Sequence, residues 1–268
     1  MFQRKCVPAV VIALLVAGPN AFTQTPGSVL LMKKVTVDAH GAIVRGNLYK
    51  KEIALVLTGD EFAEGGEVIR TVLHRRNVPA SFFLTGNFYS NPSFKQLILG
   101  LKKDGHYLGP HSDKHLLYAD WTKRDSLLVT EDEFKVDLQN NYQRMAAFDI
   151  EKKDARYFLP PYEWYNRVIA QWTRELDLQL VNFSPGTASA ADYTYPELKE
   201  RYRSSDEIYR SIVKYESDDP HGLNGFILLV HIGTDPRRTD KFYNTLDKLV
   251  GGLLSKGYSF VRIDKLLP

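Results

Sequence analysis

Tyr107-Leu108-Gly109-Pro110-His111-Ser112-Asp113-Lys114-His115 is the stretch on which the reading of this chain turns. A short apolar run, like the end of a strand, leads into two histidines with three residues between them. Imidazoles at that spacing can turn toward one point, and neutral imidazole is the commonest protein ligand for zinc and similar ions. Taken alone, His-x3-His is as readily a pair of surface side chains as a metal site. A third ligand, a base and an acid at equivalent positions elsewhere would decide between the two.

Outward from that stretch the chain has a rhythm. Apolar, strand-like runs occur at 53–57, 80–84, 106–109, 155–159, 178–183, 226–230 and 258–263. Segments with helical spacing lie between them, at 66–76, 94–103, 131–148, 166–176, 206–216 and 240–256. Thr130 and Glu133 form a capping box before one helix, and Gly105 and Gly257 follow the lysine-bearing last turns of two others. Strands alternating with helices imply parallel strands with helical crossovers. Seven of them suit a closed or nearly closed α/β barrel over residues 52–268 better than an open sheet. In such barrels the active site lies at the carboxyl ends of the strands, so polar residues able to do chemistry should directly follow the apolar runs.

Residues 24–51 precede the rhythm. Val35-Thr36-Val37-Asp38 and Ala42-Ile43-Val44-Arg45 alternate around Ala39-His40-Gly41, which predicts a short β-hairpin flanking or plugging the barrel, with His40 as a turn residue. Residues 1–23 read as a secretory signal peptide: Arg4-Lys5 is the charged start, an apolar run from Val7 to Ala17 follows, and Pro19-Asn20-Ala21 approaches cleavage. A secreted or periplasmic protein is expected. The single cysteine, Cys6, falls in that leader, which excludes thiol nucleophiles and cysteine zinc sites from the mature chain.

The 268 residues carry 35 Lys and Arg against 32 Asp and Glu, a net charge of +3, and two of the positive charges go with the leader. A nearly neutral mature chain with mixed signs gives no reason to propose a nucleic-acid partner, or a membrane partner once the signal is removed. A monomer is expected.

Four strand ends carry chemistry. Thr58-Gly59-Asp60-Glu61 follows the first run, with one acid able to hold a metal and its neighbour a water, although an acidic pair also starts helices. His111 and His115 follow the third. Pro160-Pro161-Tyr162-Glu163-Trp164-Tyr165 follows the fourth, a rigid turn presenting aromatics and a carboxylate. His231 ends the sixth, Phe226-Ile227-Leu228-Leu229-Val230-His231.

That order of motifs resembles the polysaccharide deacetylases of carbohydrate esterase family 4, the NodB-homology fold. Pro79-Ala80-Ser81-Phe82-Phe83-Leu84-Thr85-Gly86 resembles the family's Ala-Thr-Phe-Phe-x-x-Gly, and Asp104-Gly105-His106-Tyr107-Leu108-Gly109 its Glu-Gly-His-Glu-Ile-Gly. Gly257-Tyr258-Ser259-Phe260-Val261 matches its final strand. The resemblance runs from about Glu52 to Leu266. It implies a distorted seven-stranded (β/α) barrel and a metal-dependent hydrolase that removes acetyl groups from N- or O-acetylated oligo- or polysaccharides. By the same resemblance His111, His115 and Glu61 hold a divalent metal, usually Zn2+. Asp60 is the base, the Tyr162 backbone N–H the oxyanion donor, and His231 the general acid.

The chain departs from the family in three places. Glu61 stands where the family has Asp, one bond longer, about 1.5 Å. Leu159 replaces the arginine that pairs with the base, and Glu163 replaces a glycine, which makes Glu163 an alternative base or a substrate contact. Asn182-Phe183-Ser184-Pro185-Gly186 stands where Asp-Trp is expected, which leaves His231 without its usual carboxylate partner. Pro161, Trp164 and Tyr165, with Tyr118 and Trp121, flank the site as candidate sugar contacts, Trp164 and Tyr165 equally as packing between strand and helix. The loop from Gly186 to Arg203 is expected to shape the groove. Two other readings stay open: a carbohydrate-binding protein on the same barrel that has lost activity, and a metal-dependent hydrolase of another amide or ester.

Overall fold

The protein is described by a computed structural model over residues 35–268. The proposed signal peptide (1–23) and the first part of the proposed extension (24–34) lie outside the described residues.

The chain is built around β3 (Glu52–Gly59), whose side chains are buried from Ile53 onward. A continuous apolar run of this kind suits a strand covered on both faces. It pairs in parallel with β4 (Ser81–Leu84) and β8 (Phe226–His231), and at its start with β9 (Ser259–Phe260). β5 (Tyr107–Pro110) extends the sheet in parallel beyond β4. β6 (Tyr157–Phe158) and β7 (Gln179–Leu180) form a separate parallel pair. Seven strands appear where the apolar runs predict them, in an α/β fold of the distorted barrel type.

The hairpin is part of the barrel wall. β1 (Thr36–Val37) and β2 (Ile43–Arg45) are antiparallel, and β2 pairs with β8 through Arg45 and Phe226. On its other side Ile43 bridges to Val181, and the Asn182 N–H donates to Ile43 O at 3.0 Å. The Leu159 N–H reaches Pro110 O at 3.4 Å across the gap between β5 and β6. β2 thus fills the place between β7 and β8, held there because Ala42, Ile43 and Val44 are buried. Burying the Ile43 and Val44 side chains is worth about 1.5–3 kcal/mol each.

The helices are α1 (Gly66–Arg76), α2 (Gly86–Ser90), α3 (Lys95–Lys103), α4 (Glu131–Ala146), α5 (Arg167–Glu175), α6 (Ser205–Asp218), α7 (Leu246–Ser255) and α8 (Ile263–Leu266). Thr130 and Glu133 cap α4 reciprocally, as their spacing predicts. Gly105 and Gly257 sit beyond α3 and α7 at φ of 78° and 84°, a conformation that costs residues with a Cβ about 1–2 kcal/mol.

Two boundaries and one unpredicted helix stand out against the sequence reading. The strand predicted over 258–263 ends at Phe260, since Arg262 turns to cap α8 and Ile263 becomes its first residue. The helix predicted from 240 begins at Leu246, after a 3-10 turn (Phe242–Thr245); Asp240 instead accepts the Ser205 N–H at 2.6 Å at the start of α6. Helix α2 has no periodicity to announce it and exists because Thr85 caps it, its Oγ1 accepting the Phe88 N–H at 3.1 Å.

Candidate active site

The carboxyl ends of β3, β5, β6 and β8 open into a cavity of about 720 Å³ lined by Asp60, Glu61, His111, His115, Tyr162, Glu163 and His231, among others. The candidate residues at all four strand ends therefore face one space.

Asp60 is held from the next strand. Thr85 Oγ1 donates to Asp60 Oδ1 at 2.7 Å, and Asn87 Nδ2 donates to the same oxygen at 3.2 Å. Thr85 thus follows β4, caps α2 and positions Asp60 at once. Two neutral donors therefore hold Asp60, while Leu159 is wholly buried. Glu61 is exposed on the cavity wall.

The histidine loop is pinned from α4. Asn141 Oδ1 accepts the His111 N–H at 2.9 Å. Asp137 Oδ1 accepts the N–H groups of Asp113 (3.2 Å) and Lys114 (3.1 Å), and its Oδ2 the Tyr118 hydroxyl (2.6 Å). Ser112 and His115 take positive φ, 78° and 55°, which brings the second imidazole back over the first. The rings lie 5.2 Å apart at 61°. His111 Nδ1 is 2.7 Å from Leu159 O, so Nδ1 carries the proton and Nε2 keeps its lone pair. Burial pushes both imidazole pKa values down; the other histidines reinforce this at His111, while the Asp60 charge opposes it at His115.

Two adjacent neutral imidazoles, one oriented by a backbone carbonyl, are donors of the kind a zinc-like cation takes. The third ligand is not gathered with them: among the described residues no three His, Cys, Asp or Glu side chains form a cation-binding group.

The Pro-Pro-Tyr turn is a 3-10 turn (Pro161–Glu163) in which Tyr162 and Glu163 stand consecutively in the left-handed region, φ 59° and 54°. Two such residues cost about 1–2 kcal/mol each and mark a constrained segment. The Tyr162 ring lies 4.4 Å from the His115 ring and 5.7 Å from Trp121. Burial pushes the Glu163 carboxyl up to about 7, helped by Asp192 and opposed by His231.

The flanking aromatics divide. Trp121 is 55% exposed and lines the cavity. Trp164 stands behind it, 5.2 Å away, with the Arg124 guanidinium 3.9 Å from its ring and its Nε1 donating to Asp120 O. Tyr165 and Tyr118 are fully buried, and Pro161 is the buried first residue of the turn. Tyr165 is a packing residue whose hydroxyl donates to Asp38 Oδ2 at 2.6 Å, tying the hairpin to the barrel.

His231 has a carboxylate partner after all. Asp192 Oδ1 lies 2.6 Å from His231 Nδ1, and Asp192 Oδ2 accepts the His231 N–H at 2.8 Å. Asp192 comes from a 3-10 turn (Ser189–Tyr193) inside the loop after β7, not from the end of that strand. An acid among Ser, Ala and Tyr carries no periodic signal, and only its burial, 2% exposed, sets it apart. Burial alone would lower the His231 pKa; the charge and hydrogen bond of Asp192, with Glu163, outweigh it, and the net shift is upward. Arg238, fully buried, clamps the same loop, its Nη1 donating to Thr194 O and Arg203 O at 2.5 and 3.0 Å.

Comparison with known proteins agrees with this fold. Residues 49–181 match the polysaccharide deacetylase family. The chain is 25% identical over 233 residues to the peptidoglycan-N-acetylmuramic acid deacetylase PdaA of Bacillus subtilis, covering 86% of this chain and 77% of that protein. It superposes on a carbohydrate esterase family 4 pseudoenzyme from Bacillus anthracis with a TM-score of 0.65 at 18% identity, covering 86% of this chain and 70% of the other. A family 4 acetyl xylan esterase from Clostridium thermocellum, solved with a cobalt ion, gives a TM-score of 0.61 at 18% identity, covering 81% and 93%. No helix of the described residues is long and apolar enough to cross a membrane.

Proposed function

The chain is a divergent member of the polysaccharide deacetylase family, and from that premise we propose that it hydrolyses acetyl groups from an N- or O-acetylated oligo- or polysaccharide, as a secreted or periplasmic enzyme. One observation carries the reading: His111 with His115, Asp60, and the Asp192-bound His231 share a single cavity at the strand ends.

His111 and His115 would hold a divalent cation, most simply Zn2+, with Glu61 turning in from the wall as third ligand. The cation would supply an acidified water and polarise the acetyl carbonyl. Asp60, oriented by Thr85 and Asn87, takes a proton from the attacking water. The Tyr162 backbone N–H, presented by the left-handed turn, donates to the oxyanion, a contribution of roughly 3 kcal/mol. Protonated His231, steadied by Asp192, delivers a proton to the departing amine or hydroxyl, worth on the order of a hundredfold or more. Glu163, whose carboxyl is influenced by His231 and Asp192, would contact the leaving sugar or serve as an alternative base. Trp121, backed by Trp164, offers a face for a sugar ring.

A second reading has specific support. The third ligand is not gathered, Leu159 removes the base's arginine, and a solved neighbour is a pseudoenzyme. A sugar-binding protein without turnover fits those facts. Acetate release from a panel of N- and O-acetylated oligosaccharides, with and without chelator, separates the two. Release that chelator abolishes and Zn2+ restores supports the deacetylase; oligosaccharide binding that survives metal stripping, with no acetate, supports the binding protein.

A further inference from the structure

Asp60 and Glu61 line the cavity from the end of β3, and Arg201 and Arg237 line it from the loop after β7 and the segment after β8. The two arginines are not equivalent. Arg237 is spoken for: its Nε lies 2.9 Å from Asp235 Oδ1 in a two-pronged pair, and its guanidinium rests 4.0 Å above the Tyr195 ring. Arg201 donates from Nη2 to the Tyr193 hydroxyl at 3.1 Å and has no carboxylate partner among the described residues. Its remaining donors are free to take one.

Arg201 is also held in place. The buried Arg238 guanidinium binds the carbonyls of Thr194 and Arg203, on either side of it in the chain. Between them Lys199 turns the backbone at φ 51°. Tyr193, the partner of Arg201, packs its ring 5.5 Å from that of His231. A cation thus stands one side chain away from the candidate acid, on a clamped loop, in the cavity that Asp60 and Glu61 also line.

We propose that Arg201 recognises a carboxylate on the substrate, so that the preferred substrate is an acetylated sugar bearing an anionic group on the reacting ring or the ring next to it. The inference rests on the deacetylase reading and deepens it. A planar guanidinium matches a carboxylate in two-pronged geometry. Asp60 and Glu61 line the same cavity and repel such a group, which disfavours seatings that bring it to the end of β3.

The test compares two carboxylated, acetylated oligosaccharides, one with a carboxyalkyl ether on the acetamido ring and one with a uronic acid on the adjacent ring, each against its neutral methyl ester. Wild-type protein should favour one carboxylated form over its ester by about ten- to a hundredfold in kcat/KM. Whichever form shows the preference identifies the source of the carboxylate. Arg201→Gln should collapse that ratio toward one, and Arg201→Lys should keep part of it. An equal ratio in wild type and Arg201→Gln, or a preference for the esters, overturns the proposal. Binding of the same compounds by calorimetry gives a second readout. If no acetate is released, the deacetylase reading fails, and Arg201 is still judged by whether wild type binds a carboxylated form at least tenfold tighter than its ester and Arg201→Gln does not.

Discussion

Asp192 and His231 meet twice, the Oδ1 carboxylate oxygen at 2.6 Å from the ring Nδ1 and Oδ2 at 2.8 Å from the backbone N–H of the same histidine. A contact through both backbone and side chain fixes the ring's rotation as well as its tautomer. It joins a loop of no regular structure to the end of β8, and makes the pair the most tightly specified part of the candidate site.

Asp192→Asn should lower kcat about a hundredfold or more with little change in KM. The carboxylate raises the His231 pKa, keeping the ring protonated to higher pH. Without it burial prevails, the pKa falls, and the alkaline limb of the pH–rate profile moves to lower pH. Titration of the His231 ring by NMR reads the same shift without turnover. An unmoved limb and an unmoved titration would remove Asp192 from the role given to it.

Glu163 should make stability depend on pH in the less usual direction for an acid. Its folded pKa of about 7 lies above the ordinary 4.5, so the folded state binds the proton more tightly. Its contribution to stability falls as pH rises from about 4.5 to about 7 and is level above that. Glu163→Gln should flatten this fall in a series of Tm measurements across that window. Glu163→Gly should in addition relieve the left-handed residue, adding about 1 kcal/mol and a few degrees in Tm. A pH slope as steep in Glu163→Gln as in wild type would contradict the burial argument.

His111→Ala and His115→Ala should both abolish stoichiometric Zn2+ or Co2+ binding in equilibrium dialysis, yet differ in stability. His111 is buried and bonded to Leu159 O, so its loss leaves a buried carbonyl unpaired and a void, about 2–4 kcal/mol in denaturant unfolding. His115 is partly exposed and should cost about 1 kcal/mol or less. Retention of one tightly bound cation in either variant would sink the ligand assignment.

Arg238→Met should destabilise by about 3 kcal/mol, since two backbone carbonyls and the Ser205 hydroxyl lose a buried donor. The loop carrying Asp192 should then be cut by protease between residues 186 and 204 at concentrations that leave wild type intact. Equal resistance in both proteins would show that the clamp is unnecessary.

Much of this protein was legible in the chain itself, wherever structure depends on neighbours within a turn or on an unbroken apolar run. The buried run of β3, the Thr130 and Glu133 cap, the glycines at 105 and 257, and the polar groups directly after the strands are all of that kind. They place His111, His115, Asp60 and His231 at one end of a barrel because parallel strands share a direction. What the folded molecule alone decided are pairings between segments without periodicity. Asp192 reaches His231 from a loop, the hairpin becomes a stave between β7 and β8, and Thr85 serves Asp60 as well as its own helix. Tyr165 sinks into the core while Trp121 stays at the cavity, though both are aromatic and near the site. Such choices depend on which loop surfaces are buried against which, a property of the packed interior that no spacing in the sequence encodes.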